Sequence, residues 1–218
     1  MHVKNIGRIR PVTFSSAGIH PVQLEGVLHS PDGGEPWPAA VVCHPHPLGG
    51  GTMHNGVVVA IAKALADKGM AALRFNFRGV GGSQGQYGGG QGEQADVAGA
   101  IEWILAQPGV DPNRILLAGY SFGAGVGLAY AQTDPRVAAV AAVGLAAEMF
   151  EADSLISFTG PKLFVSGELD QVAPVGALRR LVEQLPPPKT LHIVAGIDHF
   201  WQGAEQKVGR LVADFAGW

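Results

Sequence analysis

The sequence predicts an α/β fold with a mostly parallel, doubly wound sheet, and three features carry that reading. Short apolar runs alternate with longer amphipathic stretches from residue 39 to the end of the chain. The runs are short, mainly apolar and free of internal proline, as strands buried on both faces are. Glycine and proline punctuate the chain between them, which is how crossover connections read in sequence.

Residues 11–30 depart from this pattern. They carry two short strand-like segments around Gly18, expected to form an antiparallel hairpin at one sheet edge. The regular order then begins, with strands expected at 39–44 (AAVVCH), 70–77 (MAALRFNF), 114–119 (RILLAG), 137–145, 162–166 (KLFVS) and 190–195. Between them the amphipathic stretches 55–68, 93–107, 122–132 and 174–185 read as helices, followed by a terminal helix at 203–215. Right-handed crossovers place such helices on both faces of the sheet. Functional groups in this architecture gather on loops just past the carboxyl ends of the strands.

A single domain over residues 1–218 is expected, long enough to bury a core without disulfides or metal. Hydrophobic residues make up 47%, and 32 Gly with 15 Pro fall short of a low-complexity composition, so disorder is not expected. The net charge is −3 and the 15 Lys and Arg are scattered. No basic footprint for nucleic acid or an anionic membrane emerges, and the expected partner is a small molecule. The longest clean apolar run, 137–147, is about half of the roughly 20 residues a bilayer requires, so no transmembrane segment is expected. Cys43 is the only cysteine, and the opening MHVKNIGRIRPV lacks the apolar core of a secretory signal; a cytoplasmic location is expected.

The pattern G-x-S-x-G occurs twice, at 119–123 (GYSFG) and 81–85 (GGSQG). Context separates them. Ser121 follows the strand RILLA and runs into the small-residue helix GAGVGLAYAQ, the setting in which a strained serine projects above a sheet. Small residues at 119 and 123 are required there because the turn brings strand and helix backbones close together. Ser83 is followed by QYGGGQG, which does not read as a helix start, and is expected in a flexible loop.

A serine hydroxyl needs a general base, and the base an orienting carboxylate. His199, in the loop after the last strand, is the only histidine in suitable position and order; His192 lies inside that strand, and His2, His20 and His29 read as surface or turn residues. The segment KLFVSGELD offers Glu168 and Asp170 as the acid. Asp170 is favoured because it lies further along the loop and can turn inward. Asp198 neighbours His199 and is expected to anchor its own loop through backbone N–H groups.

The order Ser121, Asp170, His199 on an alternating α/β chain resembles the α/β-hydrolase superfamily. The stretches VVCHPHPLGGGTMHN, LRFNFRGVGGSQG, GYSFG, SGELD and DHF resemble, more narrowly, small bacterial hydrolases distantly similar to dienelactone hydrolases, which use a cysteine where this elbow holds Ser121. The resemblance implies hydrolysis by a serine nucleophile, with an oxyanion hole from the N–H of Phe122 and a second donor in the loop after the strand AAVVC. Pro45 and Pro47 have no N–H, so that donor is His46, with Leu48 as a fallback.

His44, His46 and His54 also admit a metal reading, but no carboxylate or cysteine with ligand spacing accompanies them. They are expected to order the loop or line the site, and neither metal nor cofactor is expected. The glycine-rich stretch 79–92 lacks the Lys-Ser/Thr ending of a phosphate loop and is expected to be a mobile loop beside the pocket. Arg74 and Arg78 beside it are expected to pair with Glu93 or Asp96. Only residues 146–160 occupy the place where larger hydrolases insert a cap, so the site is expected to be open, with Met149, Phe150, Leu155, Ile156 and Phe158 as its apolar rim. The expected activity is a carboxylesterase acting on small, soluble, short-chain acyl esters. A thioesterase, a peptidase or a non-catalytic ligand-binding member of the fold are the alternatives.

Overall fold

In the computed structural model, residues 9–31, 34–149 and 157–217 are described. Eight strands form one sheet in the order β1-β2-β4-β3-β5-β6-β7-β8. β1 (Ile9–Ser15) and β2 (Gln23–His29) make the expected antiparallel hairpin, and β2 pairs antiparallel with β4 (Ala71–Phe75). From β4 onward all pairings are parallel: β3 (Trp37–Cys43), β5 (Val110–Tyr120), β6 (Val137–Val143), β7 (Lys162–Gly167) and β8 (Lys189–Val194). β5 starts four residues earlier than the apolar pattern indicates. Val110 pairs with Trp37, and the register then shifts before Ala39 meets Ile115.

Helices cover both faces. Val41, Leu73, Phe75, Ile115, Leu117 and Phe164 point to the face packed by α2 (Gln91–Leu105), α3 (Phe122–Ala131) and α4 (Val175–Gln184). Their neighbours Val42, Ala72, Leu116, Ala118, Leu163 and Val165 point to α1 (Gly56–Asp67) and α5 (Glu205–Phe215). This period-2 alternation of fully buried side chains explains why the strands read as continuous apolar runs. Among the described residues, no helix is long and apolar enough to cross a membrane. No cap domain is inserted after β6, where a short 3-10 turn (Ala147–Met149) follows.

Three expectations, about a helix start, an arginine and a histidine, are corrected. α2 begins at Gln91, inside the glycine-rich run, because Glu93 reaches back to accept the N–H groups of Gly88 (2.8 Å) and Gly90 (2.7 Å). Arg78 pairs with the buried Asp96 as expected, donating through Nε (3.0 Å) and NH2 (2.8 Å) to Oδ1. Arg74 does not join them. Its side chain leaves the opposite sheet face and donates to His29 Nε2 (3.0 Å) and Met53 O (2.9 Å). His29 is therefore a buried acceptor and not a surface residue; burial, then the Arg74 charge, push its pKa down to about 4.

α2 crosses the end of β1 at backbone contact distance, since a Cβ at Gly99 would lie 2.2 Å from Ser15 O. Gly99→Ala is therefore expected to lower stability by about 1–3 kcal/mol through overpacking. Urea unfolding measures this, and an unchanged midpoint would mean that the helix shifts freely on β1.

Candidate active site

β5 ends at Tyr120 and α3 starts at Phe122, leaving Ser121 alone in the turn with φ 54° and ψ −118°. A non-glycine residue there costs on the order of 1–3 kcal/mol and persists only when its surroundings dictate it. They do so on several sides. Ser121 N–H donates to Val143 O on β6 (2.8 Å), and its carbonyl accepts Ala124 N–H (3.0 Å). A Cβ at Gly119 would lie 2.3 Å from Gly123 O, which is the strand-to-helix approach expected from the motif. Gly123 serves a different contact, because a Cβ there would lie 2.4 Å from His44 O at the end of β3. Between them these glycines let α3 settle onto both strands.

Asp170 and His199 arrive from the loops after β7 and β8. His199 Nδ1 lies 2.8 Å from Asp170 Oδ2, and His199 Nε2 lies 3.0 Å from Ser121 Oγ. The other Asp170 oxygen accepts the N–H groups of Val172 (3.0 Å) and Ala173 (2.7 Å), so the carboxylate is fixed before it meets the imidazole. With Asp170 accepting the Nδ1 proton, Nε2 is free to accept one from Ser121. Asp170 is fully buried and His199 nearly so.

Close approaches hold this pair. Gly167 lets the two loops touch, since a Cβ there would lie 2.2 Å from Ile197 O. Gly144 (φ 57°) leaves room for the imidazole, whose Cε1 would be 3.2 Å from a Cβ. Tyr120 OH donates to His199 O (2.7 Å); burial, then the charge of Asp170, push its pKa up to about 12, so it keeps its proton. Trp201, fully buried with φ 58°, pins the chain just beyond His199. Glu168 is exposed and accepts Gly196 N–H (3.0 Å), while Asp198 accepts Phe200 N–H (2.9 Å), the loop-anchoring role expected of it.

Phe122 and His46 flank Ser121 on the other side. Neither N–H has a hydrogen-bond partner among the described residues. The His46 ring packs on Phe122 (centroids 4.8 Å apart) and Tyr87 (5.2 Å), and its Nδ1 accepts Leu48 N–H (3.2 Å). Leu48 is thereby removed as the fallback donor. His44 is buried, with Nδ1 on Pro45 O (2.6 Å) and Nε2 accepting Phe77 N–H (3.1 Å); burial pushes its pKa down to about 4. Both of its nitrogens are occupied by the fold, and among the described residues no three His, Cys, Asp or Glu side chains converge.

The glycine-rich stretch is anchored where a mobile loop was expected. Ser83 is buried, donates to Asn76 O (2.7 Å) and accepts Glu25 N–H (3.0 Å), while Glu25 Oε1 accepts Gly82 N–H (2.6 Å). Of the expected apolar rim, Phe158 is buried in the core, while Phe150, Leu155, Ile156 and the Met149 side chain fall outside the described residues. The exposed apolar side chains Leu48, Leu169, Val172 and Phe200 stand on the loops that carry His46, Asp170 and His199. Sequence reasoning missed Tyr87, Tyr120, Gly144 and Trp201. Tyr87 alone carried a signal, as the one aromatic in a run of glycines.

A serine in a strand-turn-helix elbow, above a mostly parallel sheet with an antiparallel entry, defines an α/β-hydrolase-fold serine hydrolase. Residues 18–160 match the X-Pro dipeptidyl-peptidase (S15) family, and the chain belongs to that family. An α/β serine hydrolase homologue from Coxiella burnetii is 36% identical, with a TM-score of 0.83 over 93% of this chain and 96% of that one. A serine hydrolase without a lid from Xanthomonas campestris is 29% identical, with a TM-score of 0.83 over 95% and 93% of the two chains. An uncharacterized protein of Rickettsia prowazekii is 32% identical over 82% of this chain and 78% of its own. Esterase FrsA of Citrobacter koseri is 29% identical over 73% of this chain and 37% of its own.

The two serines of the repeated motif should separate by what their removal disturbs. Ser83→Ala strips a buried hydroxyl from two backbone partners and is expected to cost about 1–3 kcal/mol. Ser121→Ala, whose hydroxyl meets the imidazole and, among the described residues, no other partner, should unfold within about 0.5 kcal/mol of the parent. Equal unfolding midpoints for the two variants would contradict this.

Proposed function

We propose that the protein is a carboxylesterase-type serine hydrolase with Ser121 as nucleophile, His199 as general base and acid, and Asp170 as the orienting carboxylate. The observation that carries this is the unbroken chain of contacts from Asp170 through the imidazole to Ser121, at 2.8 and 3.0 Å. In the first half-reaction Ser121 Oγ attacks the ester carbonyl as His199 Nε2 takes its proton. The tetrahedral oxyanion is held by the free N–H groups of Phe122 and His46. Collapse expels the alcohol, which takes the proton from Nε2, and leaves an acyl-enzyme. Water then attacks the acyl-enzyme with the same proton relay and releases the acid.

The absence of a cap favours small, soluble esters, whose acyl gain of about 0.8 kcal/mol per buried methylene ends where the open site ends. Cys43 does not compete as a nucleophile, since burial pushes its thiol pKa up and it lies under the elbow. A cytoplasmic setting is consistent with that free thiol. The family match keeps amide cleavage as a second reading. Parallel assays with p-nitrophenyl acetate, a thioester and an X-Pro p-nitroanilide separate the classes.

Ser121→Ala is expected to abolish both ester turnover and fluorophosphonate labelling, and Asp170→Asn to lower kcat by up to about 10⁴-fold by favouring the wrong tautomer. Labelling that survives in Ser121→Ala would refute the nucleophile. Esters with acyl chains of about two to six carbons should give the highest kcat/KM, with a decline beyond about eight and no rate jump at the solubility limit. A preference for emulsified long-chain triglyceride would refute that substrate class.

A further inference from the structure

A cleft of about 390 Å³ opens beside the elbow, between the loop after β3 and the glycine-rich segment. Its size lies within the range of about 300–1,000 Å³ found for small-ligand sites. Pro47, Leu48, Val80 and Tyr87 line it with apolar surface, and Arg78 supplies a charged side chain. Tyr87 joins it to the site, with its ring 5.2 Å from His46 and 5.8 Å from Phe122, the two residues whose N–H groups face the oxyanion in the proposed reaction.

The sheet order bears on which half of an ester reaches this cleft. β5 carries Ser121 and separates β3 from β6, β7 and β8. The cleft and the imidazole therefore flank the nucleophile on opposite sides. A leaving alcohol must collect its proton from His199 Nε2, so it departs on the β7–β8 side, where Val172 and Phe200 stand exposed. The acyl substituent is left with the other side.

Charge narrows the acyl group further. Arg78 donates through Nε and NH2 to Asp96, which is fully buried. A guanidinium paired with a buried carboxylate leaves no net positive charge to recruit an anion. We infer that this cleft is the acyl subsite, taking an uncharged apolar acyl group up to the size of hexanoyl or phenylacetyl, with Tyr87 and Leu48 as specificity-determining residues. The inference rests on the serine-hydrolase reading and adds where the acyl group lies and which acyl groups fit.

The test is kcat/KM for p-nitrophenyl acetate, butyrate, hexanoate, phenylacetate and monosuccinate, then for acetates of different alcohols, in the parent, Leu48→Ala and Tyr87→Ala. Leu48 is 75% exposed, so its variant is not at risk of misfolding. The parent should favour hexanoate and phenylacetate over acetate and should discriminate against monosuccinate relative to butyrate. Each variant should reduce the hexanoate-to-acetate ratio by about tenfold or more while the ranking of alcohols stays as in the parent. An unchanged ratio in both variants, with acetate still turned over, would overturn the subsite and leave the hydrolase reading standing. A changed alcohol ranking with an unchanged acyl ranking would place the leaving group there and overturn it as well. Preference for monosuccinate would overturn the charge argument, and a parent that turns over no ester would overturn both readings.

Discussion

Ser121 sits in a backbone conformation that an isolated chain avoids, and the surrounding fold is arranged to keep it there. The hydrogen bond to Val143 ties the turn to β6, while Gly119 and Gly123 allow α3 to lie against the ends of β5 and β3. The cost of the positive φ is thereby spread over the burial of the central strands, which are fully enclosed from Ile115 to Ala118. Because the turn is rigid, the position of the hydroxyl depends on the sheet and not on the rotamer of a mobile loop.

That rigidity would accomplish little without equally constrained partners. Asp170 is held by two backbone N–H groups, and His199 by the Tyr120 hydroxyl, the buried Trp201 and the space left at Gly144. Each of these contacts orients a group that already touches the next, so the loops after β7 and β8 act as one unit. On the other flank the tight loop 44–51 is held by three rings, with His46 against Tyr87 and Phe122, and by His44 bonded to Phe77. The glycine-rich segment is similarly fastened by Glu25, Ser83 and Glu93. With no cap domain, the site relies on this preorganisation.

Three clusters of polar side chains are paired within the fold. Arg74 and His29, Arg78 and Asp96, Tyr130 with Asp134 and Arg136 each satisfy one another under a helix or at a strand end. Asp134 illustrates the balance, since its bond to Arg136 holds its carboxyl down at about 2 against the opposing effect of burial. These clusters fasten the loops at both ends of the sheet, and the group at Arg78 also shapes the wall of the cleft near Ser121.

Sequence alone determined the mostly parallel sheet, its antiparallel edge hairpin and the choice of Ser121, Asp170 and His199 as candidates, because those depend on local pattern. A buried strand must be apolar, a strained elbow must have small flanks, and functional side chains in such a sheet follow strand ends. What lay beyond local pattern was decided by tertiary contacts. Ser83 and its glycines read as loose because glycine imposes no local order, yet Glu25 from a distant strand and Glu93 from the next helix bind them in place. Phe158 read as rim and is core, while Leu169, Val172 and Phe200 stand exposed, because the side a loop residue faces is set by what the loop packs against. Arg74 and Arg78 lie four residues apart in sequence, but β4 ends between them, and only the fold sends one to the α1 side and the other to α2.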